Sequence, residues 1–121
     1  MRIILLCSLL ACSAALAADR PPTRNQSYAA IAYHPDSNSV GWATERRTAR
    51  EAKVEALRQC NNEKCEVVAS ITRGCGALAT GTATGSKKSA VQKGATRNEA
   101  ETKALRKCGA GCNVLAWACT R

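Results

Sequence analysis

The sequence predicts an α+β fold: a duplicated strand-strand-helix-strand unit forming an antiparallel sheet, with two helices packed on one face and three disulfides. Three observations predict it. Two helical segments repeat at an offset of 48 residues, six cysteines beyond an N-terminal leader recur across the two copies, and short apolar runs bounded by turn residues flank each helix.

The leader comes first. Met1-Arg2 precedes an apolar stretch from Ile3 to Ala18, and Ala15-Leu16-Ala17 is a small-x-small site. One cation, about 7–15 apolar residues and such a site make a signal peptide, so cleavage is expected between Ala17 and Ala18. The stretch is too short for a permanent span, which needs roughly 20 apolar residues, and no later segment approaches that length. A second reading is a lipobox, Leu9-Leu10-Ala11-Cys12, which would leave a lipoprotein anchored through Cys12. The leucine at its middle position and the short apolar region count against it. The expected organisation is a signal peptide at 1–17, a flexible segment at 18–27 and one duplicated domain at 28–121, with halves about 28–75 and 76–121. The expected location is periplasmic or secreted, as a monomer.

The 121-residue chain has no Phe and carries a net charge of +9, of which cleavage removes only Arg2. Large apolar side chains are few, so the core is modest, and small exported domains compensate with disulfides. Cys7 and Cys12 leave with the signal. Cys60, Cys65, Cys75, Cys108, Cys112 and Cys119 remain, an even number for an oxidising compartment. The close pairs miss the two-residue zinc-knuckle spacing, so no metal or other cofactor is expected.

Tyr28-Ala-Ala-Ile-Ala-Tyr33 and Val40-Gly-Trp-Ala-Thr44 read as strands around a turn-rich loop, His34 to Ser39. Thr48-Ala-Arg-Glu51 opens the first helix as a capping box, and Thr96-Arg-Asn-Glu99 opens the second. At the same offset Ala52, Ala56, Leu57, Arg58 and Cys60 match Ala100, Ala104, Leu105, Arg106 and Cys108. The apolar residues recur at helical spacing, and a stripe made mostly of alanine lets a helix lie close on a sheet. After each helix a polar turn leads to a cysteine and a strand: Cys65 with Val67 to Ile71, Cys112 with Val114 to Ala118. Gly76 to Thr80 and Ala90 to Ala95 read as the second unit's opening strands, with Gly81 to Ser89 as a flexible loop between them. Pseudo-twofold symmetry selects Cys60–Cys65 and Cys108–Cys112 as local staples and Cys75–Cys119 as a bridge between the halves, among the many connectivities that six cysteines allow.

Taken together, Tyr28-Ala-Ala-Ile-Ala, Val40-Gly-Trp-Ala, Cys65-Glu-Val-Val, Gly74-Cys75-Gly-Ala-Leu-Ala and Val114-Leu-Ala-Trp-Ala-Cys119 resemble one exported bacterial family, domain of unknown function 4189. The resemblance covers roughly Gln26 to Arg121. It implies a small secreted or envelope domain with this duplicated layout and carries over no catalytic residues. The chain departs from the family's pattern between Gly81 and Gly94, where it has Ser86-Lys87-Lys88-Ser89.

No catalytic constellation emerges. His34 is the single histidine, with no signature joining it to a nucleophile, and the cysteines are better used as disulfides than as thiolates. Among the acids, Glu51 and Glu99 are helix caps and none sits inside an apolar strand as a raised-pKa acid would. Gly81 to Ser89 fails the phosphate-loop spacing. The basic residues are the remaining clue. Arg46, Arg47, Arg50, Lys53 and Arg58 gather at the first helix, and Lys87, Lys88 and Lys93 around the second loop. They make a candidate binding surface for an anionic partner. Nucleic acid is not expected, since aromatics are few and export removes the usual target. The leading expectation is a non-enzymatic binding module that engages a protein or an anionic envelope component. The alternatives are a periplasmic immunity or inhibitor protein against an antibacterial effector or wall hydrolase and, third, a small hydrolase.

Overall fold

The computed structural model describes residues 27–83 and 86–120. The signal peptide, its cleavage site at Ala17 and Ala18, Cys12, and all but the last residue of the segment 18–27 lie outside the described residues. The elements run β1 (Tyr28–His34), β2 (Ser39–Arg46), α1 (Ala49–Cys60), β3 (Glu66–Ile71), β4 (Cys75–Ala83), β5 (Ser86–Gly94), α2 (Arg97–Cys108) and β6 (Cys112–Cys119). The α+β class and the duplicated order are as expected.

Local chemistry sets the helix ends. The hydroxyl of Thr48 accepts from the Glu51 amide at 3.1 Å, and that of Thr96 from the Glu99 amide at 3.2 Å. Glu99 reaches back past its cap to accept from the Ala95 amide at 3.0 Å. Asn61 closes α1 in the left-handed region, and its N–H donates to the Leu57 and Arg58 carbonyls. Gly109, also at positive φ, closes α2.

The layering differs from the single sheet expected. The strands form two three-stranded antiparallel sheets, ordered β2-β1-β3 and β5-β4-β6. The sheets stack face to face, and each carries one helix on its outer side, so the helices do not share a face. The reason lies in the central strands. Ala29, Ile31 and Tyr33 of β1 point toward the other sheet and pack with Ala69, Ile71, Leu78, Ala116 and Ala118. The alternate residues Ala30 and Ala32 point the other way, against Ala52, Ala56 and Cys60 of α1. In β4, Leu78 faces inward while Ala77 and Ala79 meet Ala100 and Ala104 of α2. A strand buried on both faces needs cover on both, and one sheet with its helices on a single face would leave half of these residues in water.

Small residues hold each helix against its sheet. A Cβ at Gly41 would collide with the Ala56 carbonyl oxygen and the Cys60 amide nitrogen of α1. All three disulfides form as symmetry suggested: Cys60–Cys65, Cys108–Cys112 and Cys75–Cys119. The last differs in role. Cys75 opens β4 and stands opposite Cys119 in the β4–β6 ladder, so the bridge lies inside the second sheet. Thr120 continues that ladder, donating from its amide to the Gly74 carbonyl at 2.8 Å.

The expected loop from Gly81 to Ser89 is strand for most of its length. Gly81 pairs with Lys88 and Thr82 with Lys87 across β4 and β5, and Gly81 also pairs with Cys112 on β6. Threonine favours the pleated backbone, and the neighbouring strand extends the ladder past the point where the composition turns polar.

Candidate functional site

Two clefts open at the margins of the sheet stack, and each draws on both sheets. The first is built around the two tryptophans. Trp42 stands opposite Ile31 in the β1–β2 ladder, so it shares the inward face of that sheet. Because β2 is an edge strand, its ring emerges at the rim, 48 % exposed. Trp117 stands opposite Ala77 on β6, the edge strand of the other sheet, and is 39 % exposed. Trp42 and Trp117, with Thr44, Leu115 and Ala116, line a groove of about 340 Å³, although the Trp117 ring shares the α2 side of its sheet with Ala77.

Arg97, the first residue of α2, lies over the Trp117 ring at 3.8 Å from its centroid. A guanidinium over an indole face is attractive by about 0.5–2 kcal/mol and keeps the charge beside the groove. Glu101, one turn along the helix, accepts from Arg97 Nε at 2.7 Å and fixes the side chain's direction. That bond uses Nε, so the terminal nitrogens keep their capacity to hold a carboxylate.

The second cleft, about 330 Å³, is lined by Tyr33, Asn38, Thr80, Gly81, Thr82, Lys87 and Lys88. The Tyr33 hydroxyl donates to Asn38 Oδ1 at 3.3 Å, and burial pushes its phenol pKa up. Lys87 crosses between the sheets. Its ammonium donates to the Pro35 carbonyl at 3.0 Å and the Asp36 carbonyl at 2.7 Å, at the tip of the β1–β2 hairpin. Lys88 turns the other way and donates to the Ala110 carbonyl.

The eight basic residues singled out from the sequence therefore do not act alike. Lys87 and Lys88 tie down backbone carbonyls. Arg58 makes a two-pronged contact with Glu55, and Arg46 approaches the same carboxylate at 3.6 Å. The hydrogen bonds from Arg58 and Gln59 hold the Glu55 carboxyl down to about 2. Arg47, Arg50, Lys53 and Lys93 are exposed. Arg46 and Arg50 border a shallow depression around the exposed Val54 on α1.

His34 lies 4.0 Å from the Asp36 carboxylate, and the six described cysteines are all in disulfides. Among the described residues no three His, Cys, Asp or Glu side chains converge as metal ligands, and no helix is long and apolar enough to cross a membrane. Sequence reasoning passed over Trp42 and Trp117 as site residues. Each is a lone aromatic in its own strand, and only the stacking of the sheets makes them neighbours.

Comparisons with known proteins agree with this architecture. A family model described as "Domain of unknown function (DUF4189)" matches residues 28–119. The chain is 40% identical over 92 residues to "Uncharacterized protein Rv1813c" of Mycobacterium tuberculosis, covering 76% of this chain and 59% of that protein. "Uncharacterized protein Mb1843c" of Mycobacterium bovis matches with the same figures, so the chain spans about 59% of the length of these curated relatives. The NMR structure of Rv1813c superimposes with a TM-score of 0.60 at 34% identity, covering 82% of this chain and 78% of that one.

Proposed function

The chain belongs to the family described as a domain of unknown function (DUF4189), and we propose that it serves as an exported, disulfide-stabilised binding module, not an enzyme. The leader pattern and three disulfides in so small a core support export to the periplasm or beyond the cell. Its partner is a protein or an anionic component of the envelope.

The observation that carries this reading is the shared groove of Trp42 and Trp117. Tryptophan is enriched at recognition sites because one side chain supplies a large rigid contact area, whereas a chain with few large apolar residues has every reason to bury the two it has. Here both stay partly in water, on one groove, beside a fixed arginine. The exposed Arg47, Arg50, Lys53 and Lys93 add long-range attraction for an acidic partner.

The test is retention of partners from envelope extract on the immobilised full domain. Retention that disappears with Trp42→Ala and Trp117→Ala together supports the reading. Retention indifferent to both substitutions, but removed by charge reversal at Arg50 and Lys53, would transfer the site to the α1 surface.

A further inference from the structure

We infer that the tryptophan groove takes an extended, acidic segment of a partner protein, laid along the open edge of β6 with a carboxylate on Arg97. This rests on the binding-module reading and names the chemistry of its partner. Three consecutive residues of β6, Leu115, Ala116 and Trp117, line the groove. Ala116 faces the other sheet while Trp117, opposite Ala77, faces the α2 side, so a groove touching both runs across the strand's edge, where a β-bulge sets Leu115 as the extra residue. The other edge of β6 is bonded to β4, and no further strand pairs with it among the described residues. The groove therefore lies on unpaired backbone donors and acceptors, the template that an added strand uses. Trp42 and Thr44 of β2 form the opposite wall, a socket for alternate apolar side chains of the guest.

Charge selects an acidic guest. No lining residue is acidic, Arg97 stacks on Trp117 with its terminal nitrogens beyond the ion pair to Glu101, and the whole chain carries +9. The same charge opposes a second copy of this chain as the occupant. A saccharide fits less well. Sugar hydroxyls call for several converging polar side chains, and the lining supplies only the Thr44 hydroxyl.

The chain has two tryptophans, and both line the groove, so tryptophan emission reads this site alone. The full domain is titrated with a capped extended peptide alternating valine and glutamate, with its valine–lysine counterpart, and with polygalacturonate. The expected result is a blue shift with the glutamate peptide, weakened by salt, absent with the lysine peptide, and weaker by about tenfold in Arg97→Gln. A response to polygalacturonate at lower concentration than to the peptide overturns the inference, as does equal response to both peptides. Concentration-dependent dimerisation abolished by Trp42→Ala overturns it in favour of a second copy. If the glutamate peptide fails while retention from extract still requires both tryptophans, the acidic-peptide inference falls and the binding module stands. If both fail, both fall.

Discussion

Trp42 and Trp117 belong to different sheets and to different copies of the repeated unit, yet they wall one groove. Each is on an edge strand, and stacking brings the two edges side by side. The groove is thus a product of sheet docking around Ile31, Ile71 and Leu78, the largest fully buried side chains. The tryptophans themselves lie outside that core.

This separates binding from stability. Trp42→Ala removes a ring already half in water and is expected to destabilise by about 1 kcal/mol or less. Ile31→Ala empties a fully buried position and is expected to cost about 2–5 kcal/mol. Urea unfolding followed by far-UV circular dichroism compares them, and the two substitutions should exchange rank when partner retention is measured instead.

The three disulfides should contribute unequally. Cys75 and Cys119 are separated by 44 residues, whereas the pairs Cys60–Cys65 and Cys108–Cys112 close loops of 5 and 4. Loop-closure entropy then assigns ~4 kcal/mol to the long bridge and ~2 kcal/mol to each short one. Paired Cys→Ser variants, unfolded in urea, should lose stability in that order.

Gly41→Ala is a sharper probe of the helix–sheet contact than any alanine deletion. The added methyl meets backbone of α1, which cannot rotate aside as a side chain would. Destabilisation of about 1–3 kcal/mol or more is expected, with reduced hydrogen-exchange protection in α1. A neutral effect would show that the helix stands farther from β2 than described.

Acid should weaken the α1 surface in a defined window. The Glu55 carboxyl is lowered from 4.5 to about 2, chiefly by the hydrogen bond from Arg58, so the unfolded chain takes up this proton at higher pH than the folded one. Its contribution is therefore complete above the unfolded value and is lost as pH falls from about 4.5 toward about 2. Glu55→Gln should flatten the pH dependence of stability across that interval, read from thermal midpoints in series.

How far the fold was legible follows from which interactions are local. The capping threonines and the two short cysteine staples lie within a few residues of their partners, the alanine stripes show in their own helical spacing, and the repeat's symmetry points to the staples. Sheet stacking is not local. The uninterrupted apolar run from Tyr28 to Tyr33 already signals a strand buried on both faces, but only the partner surfaces say what covers it. Lys87 and Lys88 looked like free charge on a loop because nothing nearby in sequence announces the Pro35, Asp36 and Ala110 carbonyls they reach. The groove was hidden for the same reason.

The most direct test is a chemical-shift map of the isotope-labelled domain as a retained envelope partner is added. The groove reading predicts that the indole N–H signals of Trp42 and Trp117 move together with the backbone amides of β6 from Leu115 to Ala118. Shifts confined to Arg47, Arg50 and Lys53 around α1, with both indoles unmoved, would contradict it.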